Sequence, residues 1–280
     1  MIVFAHGGVS GTAKPRYDLT PAIAAASLKR TALDAVEACI RELEDDERLN
    51  AGFGAVLTID GVIELDAGIA DGRRGAFGSV IGVSVDHPIT LARRVLEETP
   101  HAILAGAGAV ELGRDMQRVA VSPEQRAIWE RSLADGSLSP ERFGSDEHVD
   151  TVGTVALDHD GHLAAGSSTG GVRGKLRGRV GDSPVFGAGF YASSTAAVVG
   201  TGVGERFLET LACARVADLI AENVAPQQAC EDVIDRVGHR SDEPVGLLAI
   251  DRDGEVGAAF RGASWSVWGP DGYVEAASRP

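Results

Sequence analysis

Four threonines set among glycines, Thr151, Thr154, Thr169 and Thr201, carry the most distinctive chemistry this sequence offers. A β-branched threonine suits a strand for packing reasons alone, so residue type singles out none of them. Position singles out Thr151. It stands where a charged stretch with two prolines, VSPEQRAIWERSLADGSLSPERFGSDEHVD (121–150), meets the strand-like run Val152 to Leu157. A cut before Thr151 would free a threonine at the edge of the core. Such a residue holds nucleophile and base together. Its α-amine, with a reference pKa of about 7.7–8.0, can accept the hydroxyl proton near neutral pH.

Competing chemistries lack their motifs. Gly200-Thr201-Gly202-Val203-Gly204 has neither Rossmann spacing nor a Walker lysine. The seven histidines form no i, i+4 metal-binding pair on a helix, and no Gly-x-Ser-x-Gly elbow exists. Cys39, Cys213 and Cys230 lie far apart without metal-ligand spacing, and no disulfide framework is expected. Cys39 and Cys213 fall in apolar helical patterns and read as small buried hydrophobes.

Length, charge and hydropathy bound the rest. A chain of 280 residues, 44% hydrophobic and 24% charged, suits one globular unit. No run of about 18 apolar residues occurs, and MIVFAHGGVSG has no basic flank, so a cytoplasmic protein with no membrane association is expected. The net charge of -15 repels phosphate backbones and argues against a nucleic-acid partner. Twenty-three arginines stand against three lysines, Lys14, Lys29 and Lys175. Adaptation to high salt is one reading of this acidic balance; a GC-rich genome behind an ordinary acidic enzyme is the other.

The elements that must position the threonines fall into two halves. In the first, Ile2 to Ala5 reads as a strand entering the turn His6-Gly7-Gly8. Thr20-Pro21 offers a helix start with Thr20 as N-cap, and Thr31 with Asp34 a second, capping-box-like start. Ala32, Ala35, Val36, Cys39, Ile40 and Leu43 recur at helical spacing. Residues 55–69 read as short strands about Asp60-Gly61. A strand at 78–84, a helix from Pro88 to Glu98, a strand at 101–104 and a helix from 106 follow. Residues 121–150 read as a mobile connection, with one short helix hinted by Ala127, Ile128 and Trp129. The second half opens on a hairpin, Val152–Leu157 with His162–Gly166. A strand ending at Thr201, helices from Gly204 to Ile220 and from Pro226 to Val237, a hairpin about Asp253-Gly254 and a strand from Ser264 to Trp268 complete it. Paired strands with segregated helices imply an α+β layered fold.

At this point the sequence resembles a known family. HVDTVGTVALDHDGHLAAGSSTGG, then GRVGDSPVFGAGFYA and GTGVGERF, are similar to the plant-type (type III) asparaginase and isoaspartyl peptidase family of N-terminal-nucleophile threonine hydrolases. AHGG, ALDAVEACIRELEDDERLNAGFGAVLT, ELDAGIADG and PHAILAGAGA extend the resemblance over nearly the whole chain. It implies an αββα four-layer sandwich and self-cleavage between Asp150 and Thr151 into subunits of residues 1–150 and 151–280 that remain one globular domain. A dimer of such αβ heterodimers is implied as well. The activity implied is hydrolysis of L-asparagine to L-aspartate and ammonia, with cleavage of β-aspartyl dipeptides, and no cofactor for the chemistry.

Carried over by motif, Thr151 matches the nucleophile and Thr169 the threonine that hydrogen-bonds it. Thr201 and Gly202 match the oxyanion hole, and Asn50 a residue orienting the nucleophile's surroundings. Arg179 and Asp182 match the pair that holds the substrate's α-carboxylate and α-amine, and Gly204 a backbone contact to substrate. Leu43, Glu44, Asp46, Leu49, Ala51 and Phe53 occupy the family's structural sodium loop, whose ligands are chiefly backbone carbonyls. Several positions depart from the pattern. Asp150 replaces the usual glycine, giving an Asp-Thr pair like that of glycosylasparaginases and taspases. Gly200 replaces a threonine or cysteine, Val203 stands at an often polar position, and the segment from Asp182 to Thr201 is one residue short. A glycosylasparaginase-like amidase acting on substituted asparagines therefore stays open as the alternative, with a non-catalytic amino-acid-binding scaffold behind it.

Overall fold

The computed structural model describes residues 1–14, 16–138, 151–238 and 243–279. The first half runs β1 (Ile2–Ser10), α1 (Thr20–Ser27), α2 (Ala32–Asp45), a 3-10 turn (Gly52–Gly54), β2 (Leu65–Asp71), β3 (Ala76–Val83), α3 (Pro88–Glu98), β4 (Ile103–Ala105), α4 (Gly106–Leu112) and α5 (Pro123–Ala134). The second runs β5 (Val152–Leu157), β6 (Leu163–Thr169), β7 (Phe190–Ala192), β8 (Ala196–Gly202), α6 (Gly204–Thr210), α7 (Ala212–Ala221) and α8 (Pro226–Gly238). It ends with β9 (Val245–Asp251), β10 (Val256–Arg261), β11 (Ser264–Gly269), β12 (Gly272–Tyr273) and β13 (Ala277–Ser278). No helix among the described residues is long and apolar enough to cross a membrane.

The fold is α+β. One sheet has the order β12-β11-β1-β5-β6-β2-β3-β4, the other β13-β10-β9-β8-β7. Apolar residues of both sheets meet in one cluster that includes Val155, Leu163, Phe190, Val199 and Leu248. The first sheet's other face packs with Val36 and Ile40 of α2 and Leu91 and Val95 of α3. The second sheet's other face packs with Val216 of α7 and Val233 and Ile234 of α8. Strand β8 shows the logic: Ala196 and Val198 join the helix-side cluster, Ala197 and Val199 the inter-sheet cluster. A period of two with both faces covered demands an unbroken small or branched apolar run. Each buried Val contributes on the order of 1.5–3 kcal/mol.

Much of the local reading holds. Thr31 caps α2, its side chain accepting the Asp34 amide at 3.1 Å, and all three cysteines are buried and free. Five expectations change. His6-Gly7-Gly8 is no turn: β1 runs through it to Ser10, with only a register irregularity against β11 between His6 and Val9. Thr20 is the first helical residue and Leu19 the cap, and the side chain that serves this turn is Asp18, whose Oδ1 accepts the Thr20 amide at 2.9 Å. Residues 55–64 form no strand; the hairpin is β2–β3, one turn later. The 55–64 backbone is drawn elsewhere: Val56 N–H donates to Asn50 Oδ1, Gly174 N–H to Leu57 O, and Ile59 N–H to Lys175 O. The helix expected from Gly204 to Ile220 breaks into α6 and α7 at Leu211, which is left-handed at φ 50°. Both pieces are anchored, Gly204 against Asp182 and Cys213, Val216 and Ala217 in the helix-side core, so the chain bends between them. That bend carries the strain a leucine feels at positive φ. Finally, α5 is twelve residues long. Trp129 docks it by donating Nε1–H to Thr58 O at 3.1 Å.

Candidate active site

The β5–β6 register assembles the first part of the site. Val152 pairs with Ser168, which brings Thr151 alongside Thr169 at the end of β6. Thr151 is buried, and its Oγ1 donates to Thr169 Oγ1 at 3.2 Å. Thr169 Oγ1 also accepts the Gly171 amide at 2.9 Å, so its lone pairs are aimed by the turn that follows. Asn50 holds that turn from the other half of the chain. Its carbonyl accepts from Gly170 N–H at 2.9 Å and its Nδ2 donates to Gly171 O at 2.7 Å. A Cβ on Gly170 would lie 2.4 Å from Asn50 Oδ1, so only glycine admits this grip. Asp150 lies outside the described residues.

Thr201 and Gly202 end β8. Thr201 is fully buried, and its Oγ1 has no hydrogen-bond partner among the described residues. A buried hydroxyl left unpaired costs about 1–3 kcal/mol, and such an orphan suits a group reserved for a transient partner. Gly200 is explained by packing: a Cβ there would lie 2.4 Å from the Phe207 ring of α6. Val203 is buried and leads into that helix.

Arg179 and Asp182 do not pair with each other. Arg179 gives Nε and Nη2 to the Glu205 carboxylate, at 3.0 and 2.7 Å. Its Nη1 edge turns toward Gly171 and Gly181. Asp182 is fully buried with Oδ2 unpartnered, and burial pushes its carboxyl up to about 7 despite the nearby Arg179 charge. Gly204 packs directly on Asp182; a Cβ there would lie 2.7 Å from Oδ1.

The six residues read as a sodium loop surround the end of α2. Leu43, Glu44, Leu49 and Ala51 are buried, Asp46 caps α2, and Phe53 lies in the 3-10 turn. Their acidic side chains are committed. Glu44 Oε1 accepts from Ser168 Oγ at 2.7 Å and Ile89 N at 3.1 Å, while Oε2 meets His87 Nδ1 at 3.3 Å. The Glu44 hydrogen bond holds the His87 ring above the usual histidine range. Asp46 is held by Arg48. Only backbone carbonyls remain to hold a cation here. Those of Asp46, Leu49 and Ala51 already accept local N–H groups.

Three of these partners escaped the sequence reading. Glu205 was visible only as an acidic residue in the first turn of α6. The Glu44–Ser168 contact spans 124 positions of chain and has no local signal. His6, in the first strand and far from β5 along the chain, lies over the backbone of β5.

The Thr151–Thr169 contact lies on one sheet and the unpartnered Thr201 hydroxyl on the facing one, an arrangement consistent with the class of N-terminal-nucleophile hydrolases. Residues 18–269 match the family model described as Asparaginase, and the chain belongs to that family. It is 40% identical to the isoaspartyl peptidase of Salmonella typhimurium, over 85% of this chain and 81% of that protein. It is 39% identical to the plant-type L-asparaginase of Pyrococcus abyssi, over 82% and 80%. Against the isoaspartyl peptidase/L-asparaginase of Rattus norvegicus the identity is 36%, over 94% and 84%.

Proposed function

We propose that this chain is a precursor that cleaves itself between Asp150 and Thr151 and then hydrolyses L-asparagine to L-aspartate and ammonia, and also β-aspartyl dipeptides. The observation that carries the reading is the Thr151 Oγ1–Thr169 Oγ1 hydrogen bond at the start of β5. The names of the relatives, isoaspartyl peptidase and plant-type L-asparaginase, support the substrate class. In this reading the freed α-amine takes the Thr151 hydroxyl proton as Oγ1 attacks the side-chain amide carbon. Thr201 Oγ–H and Gly202 N–H hold the oxyanion, a donor set of the kind worth about 10²–10³ in rate each. The proton passes to the leaving nitrogen, which departs as ammonia or as the amino group of the second residue. Water then cleaves the acyl ester, releasing aspartate and restoring Thr151.

Arg179 would meet the substrate's α-carboxylate through Nη1, and Asp182 its α-ammonium, with Gly204 as the backbone contact. The order helices, sheet, sheet, helices supports the αββα four-layer sandwich. A dimer of αβ heterodimers, a cytoplasmic setting and a structural sodium at the carbonyls of Leu43 to Phe53 belong to the same reading. The test is a mass spectrum with an ammonia-release assay. Fragments 1–150 and 151–280, and loss of both cleavage and turnover in Thr151→Ala, are expected. A homogeneous intact chain that turns over asparagine overturns it. Preference for glycosylated over free asparagine in the same assay would select the substituted-asparagine amidase instead.

A further inference from the structure

Two aromatic side chains join the strand of the candidate nucleophile to that of the candidate oxyanion donor. His6, on β1, is fully buried, and neither ring nitrogen has a hydrogen-bond partner among the described residues. Its register partner on β5 is Gly153, where a Cβ would lie 2.4 Å from His6 Nε2. The imidazole thus lies over the backbone two residues from Thr151, in space that only glycine leaves open. Trp265, on β11, closes the other side, with ring centroids 5.6 Å apart and planes at 49°. Its indole nitrogen is also buried and uncommitted. The indole in turn covers Gly246 of β9, where a Cβ would lie 3.0 Å from the ring and 3.2 Å from Thr201 Cγ2. Gly246 is the register partner of Thr201.

The contacts therefore run from the Thr151 strand through His6, Trp265 and Gly246 to Thr201, crossing from one sheet to the other. Ordinary core packing would place aliphatic side chains here, as it does among Val155, Val199 and Leu248. Two rings with uncommitted polar atoms are a costly way to fill apolar space. They are, however, flat, rigid and able to hydrogen-bond once the chain terminus forms. We propose that His6 and Trp265 are positioning residues, a cross-sheet brace that sets the spacing between Thr151 and Thr201. Burial keeps the imidazole neutral, pushed down to about 3, with one N–H donor and one acceptor nitrogen. The backbone of Thr151 is the polar group beside it.

The inference rests on Thr151 and Thr201 acting as proposed above. It is tested in the full chain with His6→Ala, His6→Gln and Trp265→Phe, measuring self-cleavage and then asparagine turnover per cleaved chain. A nucleophile misplaced by about 1 Å loses roughly 10²-fold in rate. His6→Ala is expected to lower kcat by about that factor while KM stays within about twofold, because the Arg179 loop is untouched. His6→Gln should regain most of the loss. The pH profile of kcat should keep its shape in all three variants, since the imidazole does not titrate in the working range. Where His6→Ala stays uncleaved, the cleavage rate becomes the readout, with restoration by His6→Gln expected. Cleavage and turnover within twofold of wild type in His6→Ala and Trp265→Phe overturn the brace. So does a loss confined to KM, or a loss that His6→Gln does not relieve. Thr151→Ala separates the two ideas. If that variant still turns over substrate, the nucleophile assignment fails; if it is dead while His6→Ala is normal, only the brace fails.

Discussion

Arg179 directs Nε and Nη2 at Glu205, at 3.0 and 2.7 Å, and leaves Nη1 turned toward Gly171 and Gly181. A bidentate carboxylate fixes the guanidinium plane, so under the proposed function Glu205 would set the direction in which Arg179 meets a ligand. Arg179→Ala is expected to raise KM for asparagine and cost about 2–4 kcal/mol in kcat/KM, with self-cleavage intact because maturation involves no free α-carboxylate. Glu205→Ala should raise KM in the same direction with kcat largely kept. Steady-state kinetics with asparagine on cleaved protein decides both. Unchanged constants in Arg179→Ala would remove Arg179 from the site.

The buried Asp182 carboxyl predicts a pH dependence of stability and, under the proposed function, of binding. Burial raises its carboxyl to about 7, so in the empty folded protein it is largely protonated below neutrality. An unfolded aspartate titrates near 3.9. Between these values the folded state binds more protons than the unfolded state, so stability falls as pH rises through the window. Asp182→Asn is therefore expected to raise the melting temperature at pH 8 and to change it little at pH 4. Wild-type KM should climb below neutral pH, where Asp182 must release its proton before meeting an ammonium. A melting temperature difference independent of pH would contradict the buried, raised carboxyl.

Thr201→Val keeps the shape of a fully buried strand residue and removes its unpartnered hydroxyl. Turnover should fall about 10²–10³-fold with the fold intact, and stability should hold or improve, because an orphan polar atom is removed. Single-turnover rates beside a thermal melt test this. Wild-type turnover would mean the oxyanion is held elsewhere.

The net charge of -15 predicts a salt dependence. Surface carboxylates repel over a Debye length of about 10 Å at 0.1 M, which shrinks to about 3 Å at 1 M. Melting temperature and activity are expected to rise with sodium or potassium chloride, without loss of cooperativity. A flat or falling midpoint across a chloride series would rule out the halophilic reading and leave the acidic balance as compositional.

Local signals made much of the frame legible. Pro88 starts α3, and Asp158 to Gly161 turns β5 back into β6. These are short-range devices, caps, turns and periodicities, and the chain alone displays them. They misled where a segment's hydrogen bonds go to distant chain. Residues 55–64 have the composition of a hairpin, but Val56 gives its amide to Asn50 Oδ1 and Ile59 to Lys175 O, and the remaining local bonds close only a turn. The helix beyond Gly204 reads as continuous because leucine gives no warning of a left-handed break at position 211.

The sequence by itself determined the position of the threonine that begins a strand, the family motifs around it and the order of elements on which they ride. Tertiary structure alone decided what those residues touch. Asn50 grips Gly171 across 121 positions of chain, Arg179 reaches forward to Glu205, and His6 lies over Gly153. Each contact depends on how two strands or loops register in space. Register follows from the packing of whole faces against each other, which no local spacing encodes.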